Sequence, residues 1–180
     1  MQEQNGKYQI CGPTAFNFYG FVDQIPNVTY VYNNRISGRR KIGSLEFQFT
    51  KVADRRLGAI NTVQAQNGGE IIYSSKARTL MDAVYDWSRF NSLPRGYAWI
   101  RQEINKDPKL VSKLVEATNR YGNQATVRRT GYLMDSLSQP SEIMKRLQRQ
   151  LSNSRSLIPW IPVKPARGRV NRKWGVIVND

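Results

Sequence analysis

The order of apolar and polar positions divides the chain into a strand-forming first part and a helix-forming second part. The sharpest pattern lies at residues 70–87. A short apolar run, Ile71-Ile72-Tyr73, predicts a buried strand, and the hydroxyls of Ser74 and Ser75 supply an N-cap for the helix that follows. From there Ala77, Leu80, Met81, Val84 and Tyr85 recur at helical spacing. Lys76, Arg78, Asp82 and Asp86 fall on the polar face, with Arg78 and Asp82 four apart as an ion pair. This is the expected core helix, and scaffold is its simplest role.

Upstream of it, residues 1–7 read as a polar, frayed start and residues 7–11 as a short edge strand. Gly12-Pro13 opens a short helix over residues 14–19, because the fixed φ of proline suits a first turn, and Gly20 ends it. Val28-Thr29-Tyr30-Val31-Tyr32 is β-branched and aromatic, and Asn33-Asn34 closes it as a strand. Leu45, Phe47 and Phe49 alternate with Glu46, Gln48 and Thr50, which predicts one face in the core and one in water. Between these strands residues 33–43, with Gly38 in their middle, read as a basic hairpin-like loop carrying Arg39, Arg40 and Lys41. Residues 54–67 read as loop leading into the Gly68-Gly69 turn.

Downstream, Pro94 and Gly96 mark a break, and residues 97–104 favour helix over strand. Asp107-Pro108 starts a helix whose apolar face is Leu110, Val111, Leu114, Val115 and Thr118, and Gly122 stops it. Asn123 caps the next, on which Val127, Thr130, Met134 and Leu137 share a face and Arg128 and Arg129 stand in water. Ser141 caps a helix over residues 142–151 with Ile143, Leu147 and Leu151 on one side. Pro159, Pro162 and Pro165 then bar a helix, and residues 174–179 predict a closing strand. The fold class is therefore α+β: a mixed β-sheet of about 4–6 strands packed with a core helix, then a mainly helical C-terminal half and a closing strand. Residues 1–104 form the α/β core with its basic loop. Residues 105–180 form a helical region with a basic, proline-containing arm, and the two are expected to make one compact unit.

Charge changes the picture more than composition does. The 180 residues are 39% hydrophobic and 11% aromatic, enough for a folded domain. Their 28 Lys and Arg against 13 Asp and Glu leave a net charge of +15. Solubility does not require so lopsided a balance, and nucleic acid is the commonest reason for such an excess, because phosphate neutralisation with counterion release drives binding. The excess concentrates late: from residue 143 to 179 there are nine Lys or Arg and not one Asp or Glu. That strip is expected to contact nucleic acid through Lys164, Arg167, Arg169, Arg172 and Lys173, with Arg39, Arg40, Lys41, Arg128 and Arg129 as further contacts. The alternative is a tail wrapped over the core with its charges in water. A membrane partner is not expected, since no apolar run approaches ~18 residues and the start lacks the apolar core of a secretory signal.

Catalytic chemistry finds little support. With no His, Ser–His and Cys–His nucleophile pairs and His-dependent metal sites are removed, and Cys11, the single cysteine, makes neither an intrachain disulfide nor a zinc cage. Gly68-Gly69 precedes a strand where a phosphate-binding loop needs a helix N-terminus. Glu46-Phe47-Gln48 has a faint likeness to the Glu-x-Lys strand of metal nucleases, but Gln48 stands at the Lys position and no Asp ends a preceding strand. No catalytic residue, metal or cofactor is assigned.

Five segments carry a family resemblance. Arg78-Thr79-Leu80-Met81-Asp82, after a strand, resembles the Pro-Glu-Arg-Thr-Leu-Leu-Asp helix of AbiEi-type antitoxins, with Lys76 and Ala77 at the Pro and Glu positions. Residues 11–21 are similar to the family's opening motif at Ala15, Gly20 and Phe21, with Tyr19 where His is usual. The basic loop and the alternation from Leu45 sit where the family has the same. Arg129-Thr130-Gly131-Tyr132-Leu133-Met134-Asp135 resembles its Arg-Leu-Gly-Tyr-Leu-Leu-Glu, and residues 172–179 match its closing basic, Trp-Gly-Leu, x-Val-Asn signature. The resemblance implies a cytoplasmic, non-enzymatic antitoxin of a bacterial abortive-infection toxin–antitoxin pair. Such a protein counters a nucleotidyltransferase-like toxin and binds double-stranded DNA at the operator of its own operon. A winged helix-turn-helix usually precedes the segment that starts here, and residues 1–30 carry no such pattern, so a natural short form or the C-terminal portion of a longer chain is expected. A stand-alone DNA-binding regulator and a degenerate nuclease-like phosphodiesterase are the alternatives.

Overall fold

The computed structural model describes residues 6–66, 68–154 and 156–180, and the chain is an α+β protein with a mixed sheet. Residues 1–5 of the polar start and Asn67 at the end of the expected loop lie outside the described residues. The chain divides into two compact units, Met1–Thr79 and Leu80–Asp180. The boundary expected between an α/β core and a helical region at 104–105 lies inside the second of these units.

The first unit is built on six strands: β1 (Tyr8–Ile10), β2 (Val28–Asn33), β3 (Gly38–Ile42), β4 (Leu45–Lys51), β5 (Ile60–Gln64) and β6 (Glu70–Ser74). Their order is β3-β4-β2-β1-β6-β5. β1 runs antiparallel to β2 and parallel to β6, β2 and β4 are parallel, and the outer pairs β3–β4 and β5–β6 are antiparallel. Three sequence readings are corrected here. β1 is an inner strand and no edge, because it pairs with β2 on one side and β6 on the other; Gln9 is fully buried, its Nε2 donating to Ser74 Oγ at 2.8 Å and its Oε1 accepting from Gly58 N at 2.8 Å. The basic loop is largely strand, since Arg39, Arg40 and Lys41 find backbone partners in register with Gln48, Phe47 and Glu46. The expected loop of residues 54–67 holds a short 3-10 turn, Asp54–Arg56, and β5, which pairs along β6. Between β1 and β2 lies α1 (Gly12–Phe18), with proline in its first turn as expected.

β6 leads into α2 (Lys76–Tyr85), and Ser75 caps it, its hydroxyl accepting from Arg78 N at 3.3 Å. Ala77, Leu80, Met81 and Val84 are buried. The middle of the polar face read on this helix is not in water: Arg78 and Asp82 are both fully buried, while Lys76 and Asp86 are half-buried. Arg78 stays inside because its Nη2 donates to Arg56 O at 2.8 Å, and a buried cation needs such acceptors.

The second unit continues with α3 (Trp87–Phe90), α4 (Arg95–Lys106), α5 (Leu110–Tyr121), α6 (Gln124–Ser136) and α7 (Ser141–Gln148), so residues 97–104 are helical. Leu110, Val111, Leu114, Val115 and Thr118 form the buried face of α5, as their spacing predicts. Asp107 Oδ1 accepts from Lys109 N at 3.0 Å before it, and Asn123 Oδ1 caps α6 by accepting from Thr126 N at 2.9 Å. α7 opens one residue early, with Pro140 at the cap position and its carbonyl accepting from Ile143 N and Met144 N. The arm is no free tail. β7 (Ile158–Pro159), β8 (Arg169–Asn171) and β9 (Val176–Val178) form a small sheet in the order β7-β9-β8. Among the described residues no helix is long and apolar enough to cross a membrane.

Candidate nucleic-acid interface

The basic C-terminal strip is held by α6, which is buried around most of its circumference. Thr126 through Gly131, Leu133 and Met134 are all buried. Arg128 and Arg129, expected in water, are therefore inside, and they act as fasteners. Arg128 donates from Nη1 to Ser156 O at 2.8 Å and from Nη2 to Ser154 O at 3.2 Å. Arg129 donates from Nε and Nη2 to Pro159 O at 3.3 and 3.2 Å. Backbone carbonyls thus take the hydrogen bonds that water would otherwise make, which is what permits two adjacent guanidinium groups to be buried. Burial lowers the Arg129 pKa, and the neighbouring Tyr97 opposes that shift.

Trp160 is the second fastening point. Its ring stacks on Tyr97 with centroids 3.7 Å apart, and Tyr132 meets it edge-on at 4.8 Å. The Tyr97 hydroxyl donates to Trp160 O at 2.7 Å. Burial pushes the Tyr97 pKa well above the usual tyrosine range, against the pull of Arg129 and Arg101, so the hydroxyl keeps its proton and its bond. Asn179 closes the loop after β7. Its Nδ2 donates to Ile161 O at 3.0 Å and Pro165 O at 3.0 Å, while its Oδ1 accepts from Ile161 N at 2.8 Å.

The two closest family-like motifs meet in space. Trp174, 1% exposed, lies so near Gly131 that a Cβ there would come within 2.2 Å of the indole. The indole Nε1 donates to Asp135 Oδ2 at 3.3 Å, and Lys173 Nζ donates to Asp135 Oδ1 at 2.7 Å. Gly168, with φ of +156°, brings the chain against β9, where a Cβ would sit 1.9 Å from Val178 O.

These fasteners leave the remaining cations outside. Lys164, Arg167, Arg169 and Arg172 are exposed on or beside β8, and among the described residues none of them has an ion-pair partner. Lys173 is exposed but paired with Asp135. In the first unit Arg39, Arg40 and Lys41 are exposed along β3, and Arg39 forms an ion pair with Glu46. That pair also occupies the carboxylate weighed for metal chemistry. Among the described residues no group of three or more Asp, Glu or Cys is placed to hold a metal ion. Chemically, the outward set offers extended point charges suited to phosphate oxygens.

Sequence reasoning missed Tyr97, Asp135, Trp160 and Asn179 as the residues that fix this surface, and it took Arg128 and Arg129 for part of it. One signal was present. A helix carrying Thr126, Val127, Thr130, Gly131, Leu133 and Met134 has too narrow a polar face to keep two arginines in water.

No family model matches the chain, and no curated protein matches it. The crystal structure of the RV2827C protein from Mycobacterium tuberculosis is similar, with a TM-score of 0.57 and 14% sequence identity. The match covers 97% of this chain and 63% of that one, so this chain spans under two thirds of the other's length. At such low identity the likeness shows the fold alone.

Proposed function

We propose that the protein is a non-enzymatic antitoxin of the AbiEi type, cytoplasmic, which counters a nucleotidyltransferase-like toxin and contacts double-stranded DNA of its own operon through the C-terminal sheet. The observation that carries the DNA part is the placement of Lys164, Arg167, Arg169 and Arg172 in water on a segment that Arg128 and Arg129 of α6, together with the Lys173–Asp135 pair, hold in place. Four outward charges on and around β8 suit a phosphate backbone, and such contacts carry no base information, so binding is expected with weak sequence preference. The antitoxin part rests on the resemblance of residues 78–82, 129–135 and 172–179 to the family's motifs.

Two measurements test the two parts separately. Co-expression with the product of the neighbouring gene should rescue growth, and absence of rescue from every adjacent gene would leave the stand-alone regulator in its place. Duplex DNA should bind at ~50 mM salt and release as salt rises, and no binding under those conditions would remove the nucleic-acid reading.

A further inference from the structure

We propose that the open face of the six-stranded sheet is a docking groove for an acidic amphipathic helix of a partner protein. Strand register fixes what stands on this face. From Arg40↔Phe47, Thr29↔Phe47, Val31↔Phe49 and Ile10↔Val31 the same side carries Ile10, Val31, Ile42, Leu45, Phe47 and Phe49. These line a groove of about 580 Å³ lying wholly within the first unit. Ile42 and Leu45 at its rim are 58% and 60% exposed, an unusual display for aliphatic side chains opposite one another in a hairpin.

Charge selects the occupant. On this face the register also places Arg40 and Lys51, paired in line with Phe47 and Asn33, and no carboxylate, since Glu46 and Glu70 point to the opposite side. A second copy would bring the same cations against each other on a molecule of net charge +15, which disfavours self-association. Single-stranded nucleic acid would need free aromatic faces. Here Phe47 and Phe49 lie ring over ring at 5.7 Å, Phe18 and Tyr73 stack at 4.0 Å, and the most exposed side chains of the groove are aliphatic. An apolar stripe flanked by Asp or Glu meets both the groove and its cations. From β3 to β6 the groove crosses four strand spacings, ~19 Å, which a helix of ~13 residues spans.

The proposal stands apart from DNA binding, and the test keeps the two separate. A labelled amphipathic Leu/Ala/Gln/Glu peptide of ~15 residues is titrated by fluorescence anisotropy against its Lys-for-Glu counterpart, a scrambled acidic peptide and oligo(dT). The acidic amphipathic peptide should bind about tenfold more tightly than the scrambled or the basic one. Leu45→Glu and Ile42→Glu, at exposed positions that leave the core intact, should each weaken it by about tenfold, and Arg40→Glu by a smaller factor. The four-fold Ala variant at Lys164, Arg167, Arg169 and Arg172 should bind it like the wild type. Equal binding of the scrambled peptide, or no effect of Leu45→Glu, overturns the proposal. Competition by oligo(dT) for the peptide site reassigns the face to nucleic acid. Concentration-dependent dimerisation abolished by Leu45→Glu assigns it to a second copy.

Discussion

Two basic strands lie at sheet edges in this protein, and they are built differently. β3 borders the six-stranded sheet as one arm of a hairpin, held along its whole length by backbone pairing with β4, and its first arginine is paired with Glu46. β8 borders a small three-stranded sheet whose backbone ladder is short, so the sheet depends on side chains of α4 and α6 for its position. β8 is held by Arg128, Arg129, Tyr97 and Trp174, and Lys164, Arg167, Arg169 and Arg172 are left outside without carboxylates, while Lys173 pairs with Asp135. Density of Lys and Arg along a chain therefore does not locate a binding surface. A basic residue serves as fastener, as ion-pair partner or as free surface charge, and only the last is available to a phosphate.

The contrast breaks most directly at the charges themselves. Removing Lys164, Arg167, Arg169 and Arg172 together should flatten the slope of log K for duplex binding against log salt by up to ~3–4 units, whereas Arg39→Ala with Arg40→Ala and Lys41→Ala should change it by less than ~1. Parallel salt titrations of the two variants decide between the strands, and a larger loss from the β3 variant would reverse the assignment. Arg129→Ala tests the fasteners. It removes charge-assisted bonds to the Pro159 carbonyl and should lower stability in urea by about 1.5–3 kcal/mol, while Arg39→Ala, on an exposed pair, should fall below ~1 kcal/mol. Equal losses would mean that burial of Arg129 contributes nothing.

Gly131→Ala should cost about 1–3 kcal/mol by driving a methyl into the Trp174 ring, and the indole fluorescence should shift as the ring moves into water. An unshifted spectrum with wild-type stability would show that α6 and the arm are less closely packed than the geometry requires. Tyr97→Phe should have the smallest effect, about 0.5–1.5 kcal/mol near neutral pH, from the lost bond to Trp160 O. Its pH dependence has a definite sign. The folded-state pKa lies above the unfolded value of 10.0, so the contribution is complete below pH 10 and is lost as pH rises through the folded value. The wild type should thus lose stability above pH 10 more steeply than Tyr97→Phe in alkaline denaturation curves.

Local signals were legible from the chain alone. Asn123 before α6, Ser75 before α2 and the stripes Leu110, Val111, Leu114, Val115 and Ala77, Leu80, Met81, Val84 all depend on residues within one or two turns, and each stands where its spacing puts it, whereas α5 starts at Leu110, two residues beyond the start read at Asp107-Pro108. The α+β class follows from them. The concentration of cations after residue 143 was equally plain, and so was the alternation of Leu45, Phe47 and Phe49.

What tertiary structure decided is which partner each local element meets. β1 is short and polar enough to read as an edge, and it becomes central because it pairs with β2 and β6 at once, with Gln9 satisfied by Ser74 and Gly58, 65 and 49 positions away. Leu45 and Phe47 alternate like a core strand, yet their apolar face borders an open groove rather than a filled interior. Arg128 and Arg129 look like solvated cations until the carbonyls of Ser154, Ser156 and Pro159, 26 to 30 positions downstream, supply acceptors. Spacing along a helix or strand reports the direction of a side chain. Whether that direction leads to water or to a distant carbonyl is set by chain closure, because a buried charge is tolerated only where long-range contacts have already placed its hydrogen-bond partners.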